Sequence, residues 1–327
     1  MSKRSCLLKS ISKTIGDYRA GEIDPPTPEH VETWIKQFDN KVHESMLEQL
    51  DHVFKKTYVS KKDVHAFLSS LIKNKDLTGD DPCSFWQSVE FLDIQKRGNS
   101  QREMLEMFNE VLHKECGLGI DDCGEPPQVY LYLDDAIFTG GRIREDLISW
   151  IQTDAPTKAK VHVVTIAFHR GGQYFAKTKI CKAAEGVRKQ INIHWWCCIE
   201  IEDTKRSIDS SDVLRPTTLP KDELVQAYVD AMRHKPVFRK PGSVGDNKFF
   251  ASEDGRHLLE QELLKAGARI RFECPYLNDY QRPLGNMVLE TLGFGSLFVT
   301  FRNCPNNCPL AFWAGDPWYP LFPRKTN

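Results

Sequence analysis

Between residues 129 and 201, three apolar runs alternate with two helical patterns, and no other feature limits the fold so tightly. The runs are Val129–Asp135 (VYLYLDD), Val161–Phe168 and Ile191–Ile201. The first intervening segment places Ile143, Leu147, Ile148 and Ile151 at helical spacing, and the second Tyr174, Phe175, Ile180, Ala184 and Val187. The run KVHVVTIAF is rich in β-branched residues, as a strand buried on both faces requires. Upstream, FWQSVEFLDI (Phe85–Ile94) reads as a further strand. A helix from Gln101 follows it, with Met104, Leu105, Phe108, Val111 and Leu112 on one face. Short connections between strands and helices predict an α/β fold, a doubly wound and mainly parallel sheet covered on both faces.

The flanks differ in character. Val31, Trp34, Ile35, Phe38, Val42, Met46, Leu50, Val53 and Phe54 recur at steps of three and four, after a Thr27 cap and Pro28 at the first helical position. A second helix is expected from Ser60 through Ile72. Beyond residue 202 the chain is charged and rich in Pro and Gly. Helices are expected near Lys221–Met232 and Gly255–Ala266, and strands at IRFE and SLFVTFR. The end, PNNCPLAFWAGDPWYPLFPRKTN, holds too many prolines for regular structure and too many aromatics for a disordered tail. It is expected to pack as irregular backbone over the main domain. The organisation expected is a helical extension over 1–78, an α/β core over 79–205, and an irregular α+β C-terminal hood over 206–327.

Composition narrows the function classes. Charged residues at 27% and hydrophobics at 40% exclude a disordered chain. A formal net charge of −1 argues against a broad cationic surface for duplex nucleic acid. No run of 18 apolar residues exists, and the N-terminus lacks a secretory pattern, so no membrane partner and a cytoplasmic location are expected. Ten scattered cysteines then read as reduced, mostly buried thiols. Cys304 and Cys308 have no second ligand pair, which a structural zinc site would need.

The chemistry is expected at the carboxyl ends of the strands, near a topological switch point. There the first apolar run delivers Asp134 and Asp135, followed by Ala136, Ile137, Phe138, Thr139, Gly140, Gly141 and Arg142. Glycines let backbone approach a phosphate, and the next helix offers free N–H groups and a positive dipole end. Adjacent carboxylates suit sugar hydroxyls or a hydrated Mg²⁺, directly or through water. The layout therefore predicts a sugar-phosphate site. A second loop, Lys96-Arg97-Gly98-Asn99-Ser100, follows the strand ending at Ile94. Its cations, its glycine and a Ser100/Glu103 capping box at the next helix suit a second anion.

An apolar strand followed by DDxxxTGG resembles the signature of the type I phosphoribosyltransferase fold. The resemblance implies that Asp134 and Asp135 address ribose hydroxyls and Mg²⁺. It also implies that Ala136–Arg142 cradle the 5-phosphate of 5-phosphoribosyl pyrophosphate, and that Lys96, Arg97, Gly98 and Ser100 hold its pyrophosphate. The chain departs from that family at Arg142, where Thr is usual, and Arg144 is expected to assist it. Three sets of segments resemble phosphoribosyltransferase-like effectors of bacterial anti-phage systems, some found beside retron reverse transcriptases. They are HVETWIKQF, then FLDIQKRGNSQ with VYLYLDDAIFTGGR, and finally GFGSLFVTFRNCPNNCPLAFW. This implies a toxin or effector role, with a retron reverse transcriptase and its nucleic acid as partners, and leaves a homo-oligomer open.

Asn303, Asn306, Asn307 and Trp313, with Phe312, suit a base or acceptor, in the hood that supplies base specificity in that family. His169-Arg170-Gly171-Gly172 reads as a connecting turn within reach of ligand. Trp195-Trp196-Cys197-Cys198 reads as core packing, and His162 and His194 as satisfied strand histidines. Two functions compete. One is a glycosyltransferase acting at ribose C1, by transfer or cleavage. The other is a non-catalytic module that senses a nucleotide or binds a partner, which Arg142 keeps open. A nucleic-acid-tethered toxin component would additionally require a basic surface.

Overall fold

The computed structural model describes residues 2–96 and 98–325. The chain divides into two units, residues 62–201 and residues 1–61 with 202–327.

The first unit holds the expected sheet. Its strands are β1 (Val89–Phe91), β2 (Val129–Ile137), β3 (Lys158–His169) and β4 (Gln190–Ile201). They are joined by α1 (Ser100–Cys116), α2 (Gly141–Thr153) and α3 (Arg170–Gly186). All pairings are parallel, in the order β1-β2-β3-β4. The first strand is much shorter than Phe85–Ile94, because Pro82–Gln87 forms a helix capped by Asp81. Asp81-Pro82 is a helix start, and Trp86 is anchored inside by its Nε1–H donating to the Ile72 carbonyl at 3.0 Å. The aromatic pair resembles strand sequence, but the local start signal prevails.

The strand order never reverses, so the expected switch point in strand order is absent. Helices α2 and α3 bury Ile143, Leu147, Ile151, Ala176 and Ile180 against the face of Tyr130, Tyr132, Val161 and Val163. Helix α1 instead packs Phe108 on Trp86 and Phe91, and Phe91 is in register with Leu131, on the opposite face. The loops leaving β1 and β2 therefore lead to helices on opposite faces of the sheet.

Strand β4 is an edge. Trp195, Trp196 and Cys197 are only half-buried and Cys198 is exposed, so the expected core packing there is incomplete. His162 accepts the Trp196 Nε1–H at its Nδ1 (2.7 Å), but Nε2 of His162 and of His194 has no partner, contrary to the expectation that both are satisfied. Cys83 and Cys116 form a disulfide, which corrects the expectation of ten reduced thiols. Of the remaining eight, only Cys274, Cys304 and Cys308 are buried.

In the second unit the N- and C-terminal segments share one core. The long pattern expected from Val31 to Phe54 is broken into Pro28–Ile35 and His43–Thr57, and a helix not expected from the sequence covers Lys3–Thr14. Asp39 accounts for the break, since its carboxylate takes the Lys41 N–H to start a short 3₁₀ turn. IRFE is the last turn of a helix, Glu253–Glu273, rather than a strand. The aromatic C-terminal tail packs on these N-terminal helices. Phe312 and Phe322 contact Phe54, and the Trp34 Nε1–H donates to the Ala311 carbonyl at 2.7 Å. Buried charge is paired there: Glu260 accepts from both Arg239 and Arg256. Among the described residues, no helix is long and apolar enough to cross a membrane.

Candidate functional site

Two loops meet at the carboxyl ends of β1 and β2. The first, residues 95–100, is closed on itself by glutamines. Gln101, fully buried, accepts the N–H groups of Ile94 and Gln95, each at 2.8 Å. Gln95 in turn accepts from the Ser100 hydroxyl (3.2 Å) and the Gln101 N–H (3.3 Å). The helix cap is Asn99, without a side-chain cap bond, so the expected Ser100 capping box does not form. Ser100 turns inward. Gly98 has φ +87°, a left-handed conformation that glycine adopts without strain. Arg97 lies outside the described residues.

The second loop starts with the acids. Asp134 is buried, and its oxygens accept the Asp135 N–H (2.8 Å) and the Gln95 Nε2–H (3.3 Å). Burial, and then the neighbouring Asp135 carboxylate, push its carboxyl up to about 7. Asp135 is half-buried and accepts the Ala136 N–H at 2.7 Å. Ala136 and Ile137 complete the strand, Phe138 packs on the His169 ring, and Thr139 is exposed. Gly140 has φ +74° and caps α2, whose first residue is Gly141.

The two glycines differ. A Cβ at Gly140 would overlap the Gly172 carbonyl oxygen, and one at Gly172 would overlap the Phe138 carbonyl oxygen. The turn and the first turn of α3 thus interlock backbone on backbone. A Cβ at Gly141 would meet only Thr139 Oγ1, at 3.7 Å. His169, read with Arg170-Gly171-Gly172 as a connecting turn or else a ligand contact, is fully buried, with its Nδ1 3.0 Å from the Ile137 carbonyl. Its neighbour Gly172 therefore serves the loop through packing.

Direct contacts join the two loops. Besides Gln95 with Asp134, the Arg142 Nη1–H reaches Ser100 Oγ at 3.4 Å. Lys96 Nζ donates to Ser149 Oγ at 3.0 Å, and the Lys96 N–H to Asp146. Asp146 also accepts the Tyr132 hydroxyl at 2.9 Å. Arg144 faces elsewhere, towards Glu145 and the ring of Phe175.

Asp134, Asp135, Lys96, Gly98, Ser100 and the 136–142 turn are brought together. Asn303, Asn306, Asn307 and Trp313 belong to the other unit. Asn303 is bonded to the Lys325 backbone, and the Asn307 Nδ2–H donates to the Asn286 carbonyl. The Asn306 carbonyl accepts the Asn286 N–H, and Trp313 donates to the Cys308 carbonyl. Sequence reasoning missed Gln95, Gln101 and Asp146, and read Gly172 only as part of a turn. Asp146 left a trace, an acid four residues after Arg142 on the flank of an apolar stripe; the glutamines left none.

Chemically, the arrangement offers backbone amides at a helix start, two carboxylates and a guanidinium close together. That set can hold a phosphorylated sugar. Among the described residues, no group of three or more His, Cys, Asp or Glu side chains stands ready for a metal ion. A family model described as PRTase-CE matches residues 31–324. Neither a curated protein nor a solved structure matches the chain.

Proposed function

The chain belongs to the PRTase-CE family, and from this phosphoribosyltransferase-like premise we propose that its α/β unit binds 5-phosphoribosyl pyrophosphate or a related ribose phosphate. It then transfers or cleaves at ribose C1. One observation carries the reading. Loops after two neighbouring parallel strands, one tipped by Asp134-Asp135 and glycines and one by Lys96 and Gly98, are tied together by hydrogen bonds.

In such chemistry the diphosphate leaves an oxocarbenium-like sugar, so the protein mainly positions the sugar, neutralises the leaving group and excludes water. Asp134 and Asp135 hold the ribose hydroxyls. The backbone amides of the 139–142 turn hold the 5-phosphate, and the 96–100 loop holds the diphosphate. The acid pair fits Mg²⁺, which takes oxygen ligands and keeps several waters. When bound, the ion supplies neutralisation of the diphosphate.

The setting we propose is a cytoplasmic effector in anti-phage defence, partnered with a retron reverse transcriptase and its nucleic acid. The segments flanking the loops, including GFGSLFVTFRNCPNNCPLAFW, support it. A second reading, a sensor that binds without turnover, is favoured by Arg142, whose guanidinium lies on the diphosphate loop. The test is pyrophosphate release from 5-phosphoribosyl pyrophosphate with Mg²⁺, alone and with bases, nucleotides and RNA. Release supports the enzyme, and binding without release in every mixture supports the sensor. Absence of binding refutes both.

A further inference from the structure

From its place in the sequence, Arg142 belongs with the 5-phosphate turn. Its side chain does not stay there. Nη1 reaches Ser100, and the guanidinium covers Gly98 so closely that a Cβ on that glycine would lie 3.1 Å from Nη1. Two more residues of α2 grip the same loop. Asp146, four residues on, takes the Lys96 N–H, and Ser149, seven on, takes the Lys96 ammonium. Spacings of four and seven place all three on one stripe of the helix. The helix that begins at the 5-phosphate turn is thus fastened along its side to the loop after β1.

The surrounding charge points the same way. Arg142 interacts electrostatically with the Asp134 and Asp146 carboxylates. A diphosphate entering beside those carboxylates meets repulsion unless a cation stands between. A guanidinium is suited to that place because its planar fork matches phosphate oxygens in pairs.

We infer that Arg142 is a specificity residue for the C1-diphosphate end of the ligand rather than for its 5-phosphate. The inference rests on the phosphoribosyl-diphosphate reading above. It makes this chain one that selects ligands carrying a diphosphate at C1 over the bare sugar 5-phosphate.

The experiment is titration calorimetry on the full chain with Mg²⁺, for wild type, Arg142→Ala and Arg142→Lys. The three ligands are 5-phosphoribosyl pyrophosphate, inorganic pyrophosphate and ribose 5-phosphate, with melting curves recorded for each protein. Loss of a charge-assisted phosphate contact should weaken the two diphosphate ligands about tenfold or more in Arg142→Ala. Ribose 5-phosphate should stay within about twofold, well below the effect of one such contact. Arg142→Lys, keeping charge but losing the fork, should fall between for the diphosphates alone. Equal weakening of ribose 5-phosphate and 5-phosphoribosyl pyrophosphate would return Arg142 to the 5-phosphate and overturn the inference. Unchanged pyrophosphate affinity in a folded Arg142→Ala protein would overturn it too. Wild type that binds none of the three refutes the site reading itself, a result separate from either of these.

Discussion

Alanine at Gly140 and alanine at Gly141 should have opposite consequences, although the residues are adjacent and both belong to the proposed phosphate turn. Gly140 sits at φ +74°, where an L-residue costs ~1–2 kcal/mol. Its new methyl would also overlap the Gly172 carbonyl, and forcing two backbone segments apart adds ~1–3 kcal/mol. At about 2–4 °C per kcal/mol for a domain of roughly this size, Gly140→Ala should melt roughly 5 °C or more below wild type. Gly141 is helical, and its methyl would meet only Thr139 Oγ1 at 3.7 Å. Alanine there exchanges a poor helix former for a good one, so stability should hold or rise by up to ~1 kcal/mol. Ligand binding should reverse the ranking of harm. A phosphate seated on the amides of 139–142 would be pushed outward by the Gly141→Ala methyl. Lengthening one or two contacts worth ~1.5–3 kcal/mol each should cost about tenfold to a hundredfold in affinity. Differential scanning fluorimetry and calorimetry with 5-phosphoribosyl pyrophosphate and Mg²⁺ read both quantities. Wild-type affinity in a stable Gly141→Ala protein would mean that the turn's amides do not hold the phosphate. An unshifted melt in Gly140→Ala would refute the interlock with Gly172.

Four further outcomes are expected. The Asp134 carboxyl, raised from 3.8 to about 7, binds its proton more tightly in the folded chain, so its contribution to stability is present below pH 4 and is lost as pH rises through 7. At 1.36 kcal/mol per tenfold in proton affinity, that contribution is at most roughly 4 kcal/mol. Melting of Asp134→Asn relative to wild type should therefore climb between pH 5 and pH 8, and a flat difference would contradict the burial argument. The double variant Asp134→Asn/Asp135→Asn should lose ligand turnover without unfolding, measured by pyrophosphate release beside circular dichroism. Because Asp146 holds the Lys96 N–H, Asp146→Ala should raise KM for the diphosphate substrate about threefold or more with a smaller change in kcat, as loss of positioning does. Finally, Cys83 and Cys116 close a 33-residue separation, which the chain-entropy view values at ~3–4 kcal/mol. A reducing agent should lower the melting temperature of wild type but not that of Cys83→Ala/Cys116→Ala, and thiol titration of the denatured, unreduced chain should count eight rather than ten.

What the sequence determined by itself were features written in local pattern. Alternation between period-two apolar runs and helical stripes placed β2, β3 and β4 and the helices between them within a few residues. The Asp134–Arg142 turn was legible because a strand, two acids and paired glycines before a helix stand in one continuous stretch. Tertiary structure decided whatever depends on residues far apart. Phe85 and Trp86 carry strand-like side chains, yet Trp86 became a helical anchor because its indole found the Ile72 carbonyl. Asp146 and Gln101 look like ordinary helix residues until the fold sets them against Lys96 and the Ile94–Gln95 backbone. Gly172 reads as a turn glycine, and only the approach of Phe138 to α3 makes its missing side chain a necessity. Arg142 is the clearest case. Its position on the chain assigns it to one phosphate, but a guanidinium on a long flexible stem goes where packing and charge allow, and here that is the neighbouring loop.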